Sequence, residues 1–400
     1  MADGSDKTIA QGGAEFRGTN QTGMRAQNER VVLTLIRRHG ALAKAEIARL
    51  SDLSAQTVSV IMRALEEDGL LLRGEPQRGR VGQPSVPMTL NPNGAFFLGL
   101  KIGRRSSEMV LTDFLGNILE RRINLQVYPD YADVLRFALR AASDLQETLP
   151  KEAQSRIEGL GIAMPFQMWD WGPIIGVSPA QMEPWRHHDI QAELQAELPF
   201  PIFLQNDATA ACAAELAFGT GSQPASMLSF YIAYFIGGGV VMEGGLYAGV
   251  TGNAGAIGSM PVPDAEGELR QLIDQASLVL LERALEARGI DPMTLWRTHA
   301  QWDIPDDIRN GWIAQAGRAI AHATHAAISV IDFPVIRIDG WMPSPIRAAL
   351  VARVEAELAG LDFTGLERPV VQEGTVGADA RALGAASQPL FRRFLTGLTR

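Results

Sequence analysis

Residues 44–72, KAEIARLSDLSAQTVSVIMRALEEDGLLL, constrain the chain more than any other stretch. Ile47, Ala48, Leu53, Val58, Ile61 and Leu65 are the apolar positions of two short helices on either side of a tight turn. Asp52 stands where such a turn commonly has glycine, and Asp tolerates the left-handed conformation better than most residues. This pattern leaves Ser54, Ala55, Gln56, Thr57 and Ser59 at the exposed start of the second helix, with Arg63 one turn beyond. A helix entered into the DNA major groove needs small and hydrogen-bonding side chains at that end to reach base edges. Packed helix pairs in all-α domains share the apolar pattern, so the next segment has to decide between the two readings.

That segment, EEDGLLLRGEPQRGRVGQPSVPMTLNP, reads as a hairpin wing with strands at 70–73 and 86–90. Arg73, Arg78 and Arg80 lie between or at the strand ends, beside Gly79 and Gly82. Arginines on a glycine-rich loop suit phosphate contact or insertion into a minor groove. Charge divides the same way. Residues 21–90 hold ten Lys and Arg against seven Asp and Glu, whereas residues 91–400 carry a net −11 of the chain's −9. A basic head on an acidic body fits a DNA reader whose larger part does something else. A net +3 is modest for one copy, which makes a symmetric homodimer or tetramer the expected DNA-binding form.

The remaining composition excludes whole classes. The longest apolar run, residues 227–242, is too short and too glycine-rich to span a membrane. The polar, small residues of 1–24 read as a disordered tail without a secretory signal, so a cytoplasmic location is expected. The single cysteine, Cys212, rules out an intramolecular disulfide and a cysteine-rich metal site.

From Gly94 the chain reads as α/β. Strands are expected at 95–103, 107–116, 121–127, 157–166 and 201–207, with helices at 131–149 and 189–198. An Ala-rich helix follows Asp207, and the strand pattern restarts after Ser226. The expected organisation is a tail (1–24), a winged helix-turn-helix (25–90) and a two-lobed body (94–400). The lobes would divide near 94–215 and 216–400, with a ligand cleft between them.

Six segments in order, LSAQTVSVIMRALEEDGLL, GLKIGRRSSEMVLTD, GLGIAMP, QNDATAACAAELAFG, FIGGGVVMEGGLYAGVTGNAGAIGSMPV and GADARALGAA, resemble the ROK family from about Thr22 to Arg393. The resemblance is to its repressor branch, in which a winged helix precedes an actin-like, ribonuclease H-like sugar-kinase body. It implies a transcriptional regulator of carbohydrate genes that binds operator DNA and a sugar-type effector. An active sugar kinase, or a regulator with a degenerate cleft answering to a protein partner, are the alternatives it leaves.

Departures from the family pattern sharpen the expectation. Family kinases carry Asp-x-Gly-Gly-Thr where this chain has Lys101-Ile102-Gly103-Arg104-Arg105. A lysine does not ligate magnesium, and two arginines replace the small residues that admit a phosphate, so no enzyme activity, catalytic residue or cofactor is expected. Asn206 and Asp207 match the family's sugar-binding pair, although helix capping explains an Asp before an Ala-rich helix as well. The family's sugar-holding glutamate is Ala256 here and its zinc-binding histidine is Ser259. Residues 264–277 lack the family's cysteines, so no zinc is expected. Gln167 and Trp185, in the Trp-rich segment after Pro165, join Asn206, Asp207 and Ser259 as expected effector contacts, aromatic faces packing well on sugar C–H faces.

Overall fold

In the computed structural model, residues 21–76, 85–221 and 223–399 are described. Helices of eight or more residues are numbered below.

The head is built from α1 (Gln21–His39), α2 (Lys44–Ser51) and α3 (Ala55–Glu67) against a small sheet ordered β1-β3-β2. Its strands are β1 (Ala41–Leu42), β2 (Leu71–Arg73) and β3 (Met88–Leu90). The wing strands pair antiparallel, Leu71 opposite Leu90 and Arg73 opposite Met88. The wing tip with Arg78 and Arg80 lies outside the described residues. Asp52 takes the left-handed conformation, with φ 56° and ψ 16°, so a carboxylate residue does close the α2–α3 turn. The expected tail is too long by four residues: α1 begins at Gln21, and its first turns carry an Arg25–Glu29 pair of 2.9 Å at helical i,i+4 spacing.

The first lobe is a five-stranded sheet ordered β6-β5-β4-β7-β8. Its strands are β4 (Phe96–Ile102), β5 (Ser106–Thr112), β6 (Ile118–Leu125), β7 (Ile157–Ala163) and β8 (Ile202–Gln205). Phe96, Leu98, Leu100 and Ile102 alternate along β4 toward α4 (Tyr131–Glu147) and α5 (Ile190–Glu197), where they share one buried cluster.

The second sheet is ordered β15-β14-β9-β10-β11-β16. It comprises β9 (Met227–Ile232), β10 (Ile236–Met242), β11 (Gly245–Tyr247), β14 (Val335–Gly340), β15 (Val370–Glu373) and β16 (Leu398–Thr399). A two-stranded ribbon, β12 (Pro261–Pro263) with β13 (Leu269–Gln271), lies apart. Leu228, Phe230 and Ile232 of β9 pack with α8 (Asp306–Ile328) and α9 (Ser344–Ala359), and with Leu281 and Leu285 of α7 (Val279–Ala287).

Two helices fill the space between the sheets: α6 (Asp207–Phe218) and α10 (Ala380–Arg393). They meet at a contact only glycine allows, since a Cβ on Gly384 would fall 1.7 Å from the Ala210 carbonyl oxygen. On the first sheet, a Cβ on Gly161 would fall 1.8 Å from the carbonyl oxygen of Ala385 in α10. The division of lobes at residue 216 therefore needs correcting: α10, near the end of the chain, packs on the first sheet. Gly237, Gly238 and Gly239 lie within β10, where Gly237 and Gly239 face Ala208 and Cys212 of α6.

Head and body share one core. Val32, Leu33 and Ile36 of α1 are buried in the same cluster as Phe97, Phe114 and Phe394 of the body. Arg30 of α1 donates to the Arg392 and Arg393 carbonyls, at 2.7 and 3.2 Å. Arg37 donates to the Phe114 carbonyl. No helix among the described residues is long and apolar enough to cross a membrane.

Candidate nucleic-acid interface and ligand cleft

The start of α3 is organised by its own cap. The Ser54 hydroxyl accepts from the Thr57 backbone N–H at 3.1 Å and lies 2.8 Å from the Thr57 hydroxyl. This satisfies one otherwise orphan donor and holds the helix start in place. Ala55 and Gln56 are exposed, while Ser59 is half-buried and accepts from the Lys44 ammonium at 3.2 Å. Gln56, Val60 and Arg63 therefore form the open face of α3, with Val60 56% exposed. Val60 escaped the sequence reading; its position four residues after Gln56, off the buried Val58–Ile61–Leu65 stripe, was the available signal. An exposed valine there suits apolar contact with a thymine methyl. Arg73 is engaged with Glu66 of α3, at 2.9 Å for its Nη2, which ties the wing to the helix.

Between the lobes lies a cleft of about 380 Å³. Asn206, Asp207, Gln167 and Ser259 all line it. Asn206, rather than Asp207, caps α6: its side-chain oxygen accepts from the N–H groups of Ala208 and Thr209 at 3.0 and 3.2 Å. Asp207 is the first helical residue. One of its oxygens accepts from Ala208 N–H at 3.0 Å, and the other accepts from Arg381 Nη1 at 3.4 Å. A carboxylate at a helix N-terminus sits in a favourable field. Gln167 precedes the 3-10 turn 168–171, and Ser259 ends the one at 257–259; both are exposed to the cleft.

Trp185 does not belong to the cleft. It is 5% exposed, packs edge-on against Tyr131 at 4.9 Å and donates its indole N–H to the Pro129 carbonyl at 2.7 Å. A large ring with one polar edge is readily absorbed into a core where a carbonyl meets that edge. Trp171 is the tryptophan that reaches the cleft, stacked edge-on against Phe235 at 5.3 Å.

The charged side chains of the segment 101–105 are engaged with their neighbours. Lys101 is buried, donates to Ser106 Oγ at 2.8 Å and lies 3.8 Å from the Glu108 carboxylate. Burial, reinforced by the nearby Arg381 charge, pulls its pKa down to about 8. Arg105 crosses to Glu282 of α7 at 2.7 Å, and Arg104 stacks on the Tyr234 ring at 4.7 Å. Both arginines thus bridge the first lobe to the second. Arg381 and the ring residues Tyr231, Tyr234 and Phe235 also line the cleft and were not singled out from sequence. Arg381 lies 174 positions from Asp207 along the chain, beyond the reach of any local pattern.

Comparison with known proteins agrees with this architecture. Residues 97–271 match the ROK family, and residues 25–71 match a winged helix-turn-helix DNA-binding domain. The chain is 26% identical over 376 residues to protein y4fQ of Sinorhizobium fredii, spanning 92% of each. It is 23% identical over 313 residues to a putative xylose repressor of a Caldicellulosiruptor species, spanning 76% of each. Among solved structures, a ROK family transcriptional regulator described as a homologue of the Escherichia coli MLC protein superposes with a TM-score of 0.65 at 20% identity, covering 92% of this chain and 97% of that one. The ROK hexokinase of Thermus thermophilus superposes with a TM-score of 0.52 at 25% identity, covering 73% of this chain and 96% of that one. This chain thus carries a ROK family domain, matched over residues 97–271, behind a winged helix-turn-helix, in one continuous order and one shared core.

Proposed function

We propose that this chain is a transcriptional repressor whose hold on operator DNA is set by a sugar-type ligand in the cleft. One observation carries the reading: a single helix joins the cleft to the head. At its start, Arg381 of α10 meets Asp207. At its end, the Arg392 and Arg393 carbonyls receive hydrogen bonds from Arg30 of α1. A ligand whose hydroxyls compete for Asp207 alters the partners of Arg381, and α10 carries the change to the helix on which the recognition helix rests. Differential affinity for two arrangements is what any such ligand must supply. Gln56, Val60 and Arg63 are the base-reading face in this proposal, with Ser54 and Thr57 positioning it and Ala55 and Ser59 fitting the groove. Arg78 and Arg80 would meet phosphates, and two copies would read a symmetric operator.

A repressor is favoured over a phosphotransferase by the 101–105 segment. Lys101, Arg104 and Arg105 are engaged with Ser106, Tyr234 and Glu282, the first of them where kinases of the family hold magnesium through an aspartate. The named repressor among its relatives supports the same side.

The test is fluorescence anisotropy on DNA from upstream of its own gene, with and without pentoses and hexoses. Sequence-specific binding released by one sugar, and unresponsive in Asp207→Asn, is the expected result. Specific binding that no sugar alters would move control to a protein partner. Sugar-dependent ATP turnover would overturn the reading.

A further inference from the structure

The cleft carries an unusual balance of charge for a sugar site. Among the described residues its wall contains one carboxylate, Asp207, and two guanidiniums, Arg104 and Arg381. Ala256 and Ser259, both neutral, face the cleft as well. An anion entering here meets no carboxylate except one already held by Arg381.

The cations of this region differ in how far they are satisfied. Arg105 is paired with Glu282, Arg121 with Glu108 and Asp379, and Arg297 with Asp291. Arg104 forms no ion pair among the described residues. Its Nη2 makes one long hydrogen bond, 3.4 Å, to the Ile175 carbonyl. Its Nε and Nη1 are both buried without a hydrogen-bond partner among the described residues, whereas Arg105 and Arg381 each leave only Nε so. Buried guanidinium N–H groups without acceptors are costly, and such sites call for an acceptor that arrives. The Arg104 guanidinium carbon lies 4.7 Å from the Tyr234 ring centroid, a cation–π contact that helps to position the group. A cavity of about 590 Å³ adjoins across the partition formed by Gly103, Arg104, Tyr234 and Arg381, so both arginines line space on either side, and an anion reaches their buried donors by a turn of the guanidinium.

We propose that the cleft recognises an anionic sugar, one bearing a phosphate or a carboxylate, with Arg104 and Arg381 receiving the anionic group while Asn206 and Asp207 meet the hydroxyls. The inference rests on the reading of the cleft as a sugar site and specifies its ligand class. A planar fork facing a carboxylate or phosphate forms paired charge-assisted hydrogen bonds, which a neutral sugar does not offer. Asp207 is then relieved of Arg381 by the ligand's own charge, so its two oxygens turn to hydroxyl groups.

The experiment is titration calorimetry of the full-length protein against matched trios: glucose, glucuronate and glucose 6-phosphate, with the corresponding galactose trio. In the expected result an anionic member binds at least tenfold more tightly than its neutral parent at low salt. In Arg104→Gln that advantage falls below threefold, while Arg104→Lys retains part of it. Whether glucuronate or the phosphate gains more distinguishes carboxylate from phosphate recognition. Thermal melting of ligand-free Arg104→Gln shows whether the variant is folded. Should it not be, loss of the wild-type advantage between low and high salt takes its place. Neutral sugars binding as well as or better than their anionic partners would overturn this inference alone. An anionic preference unchanged in a folded Arg104→Gln would overturn it too. Failure of every sugar, neutral and charged, would instead sink the sugar-site reading on which it stands.

Discussion

Two buried carboxylate–guanidinium pairs sit at opposite ends of α6, and they are built differently. Near its C-terminus, Glu215 is paired with Arg337 and also accepts from the Thr375 hydroxyl and from the N–H groups of Thr375 and Val376, at 2.8, 3.0 and 3.2 Å. Gln372 takes a further Arg337 donor at 3.1 Å. At the N-terminus, Asp207 and Arg381 meet through one bond of 3.4 Å, and Arg381 Nε has no partner. Charge-assisted pairs of good geometry lie near 2.7–2.9 Å. The first pair makes five hydrogen bonds in all, with Arg337 Nε left without a partner like that of Arg381, and it holds α6 to β14 and the 375–376 turn. The second is left short of partners, at the wall of a cleft. In one helix, then, a pair with many partners stands against a pair joined by a single long bond, the one that a ligand exchanges in our proposal.

The largest effect that would sharpen this contrast comes from Glu215→Gln. Leaving Arg337 buried without its countercharge is expected to cost about 3–5 kcal/mol in urea unfolding. Next in size is Lys101. Its folded pKa of about 8 lies below the ordinary 10.5, so the folded state binds that proton less readily than the unfolded one. Below pH 8 the penalty is complete, and it fades as pH rises toward 10.5; stability contributed by this residue therefore grows across that window. Lys101→Met should gain up to roughly 3 kcal/mol at pH 7 and nothing at pH 10.5, read as the difference between the two melting profiles. A profile parallel to wild type would place Lys101 among the permanent contacts. Gln56→Ala, on the most exchangeable surface of all, should weaken operator binding by about 1–3 kcal/mol and relax selectivity at one base pair. Unchanged affinity and selectivity would remove Gln56 from the reading face. The smallest stability effect belongs to Asp207→Asn, about 1 kcal/mol, because its ion pair is long and single. A loss equal to that of Glu215→Gln would erase the distinction between the two pairs.

Much of this was legible from local pattern. The strands expected at 95–103, 107–116, 121–127, 157–166 and 201–207 fall within about four residues of β4 to β8, the central β4 showing as a continuous apolar run because it is buried on both faces. The helix-turn-helix was legible down to the left-handed Asp52, where side-chain chemistry and backbone geometry are properties of a single residue. What stayed hidden needed tertiary information. Trp185 and Trp171 stand in one loop with the same ring, and only the carbonyl of Pro129 decides which is core. The Asn206 cap is local, yet in sequence it was not separable from capping by Asp207, one residue on. Arg381 became part of the cleft because α10 folds back across the chain, and its glycine contacts with β7 and α6 show in three dimensions only.

The core shared by α1 and the body bears on portability. Many DNA-reading heads are cargo on a tether, transferable between proteins by cutting a linker. Here a cut near residue 91 would strip Val32, Leu33 and Ile36 of their cover and open Phe97, Phe114 and Phe394 to water. The head and the body should melt in one calorimetric transition, and neither half should be a stable graft on its own. Exchange of heads within such an architecture requires α1 and the end of α10 to travel together, as one inherited joint.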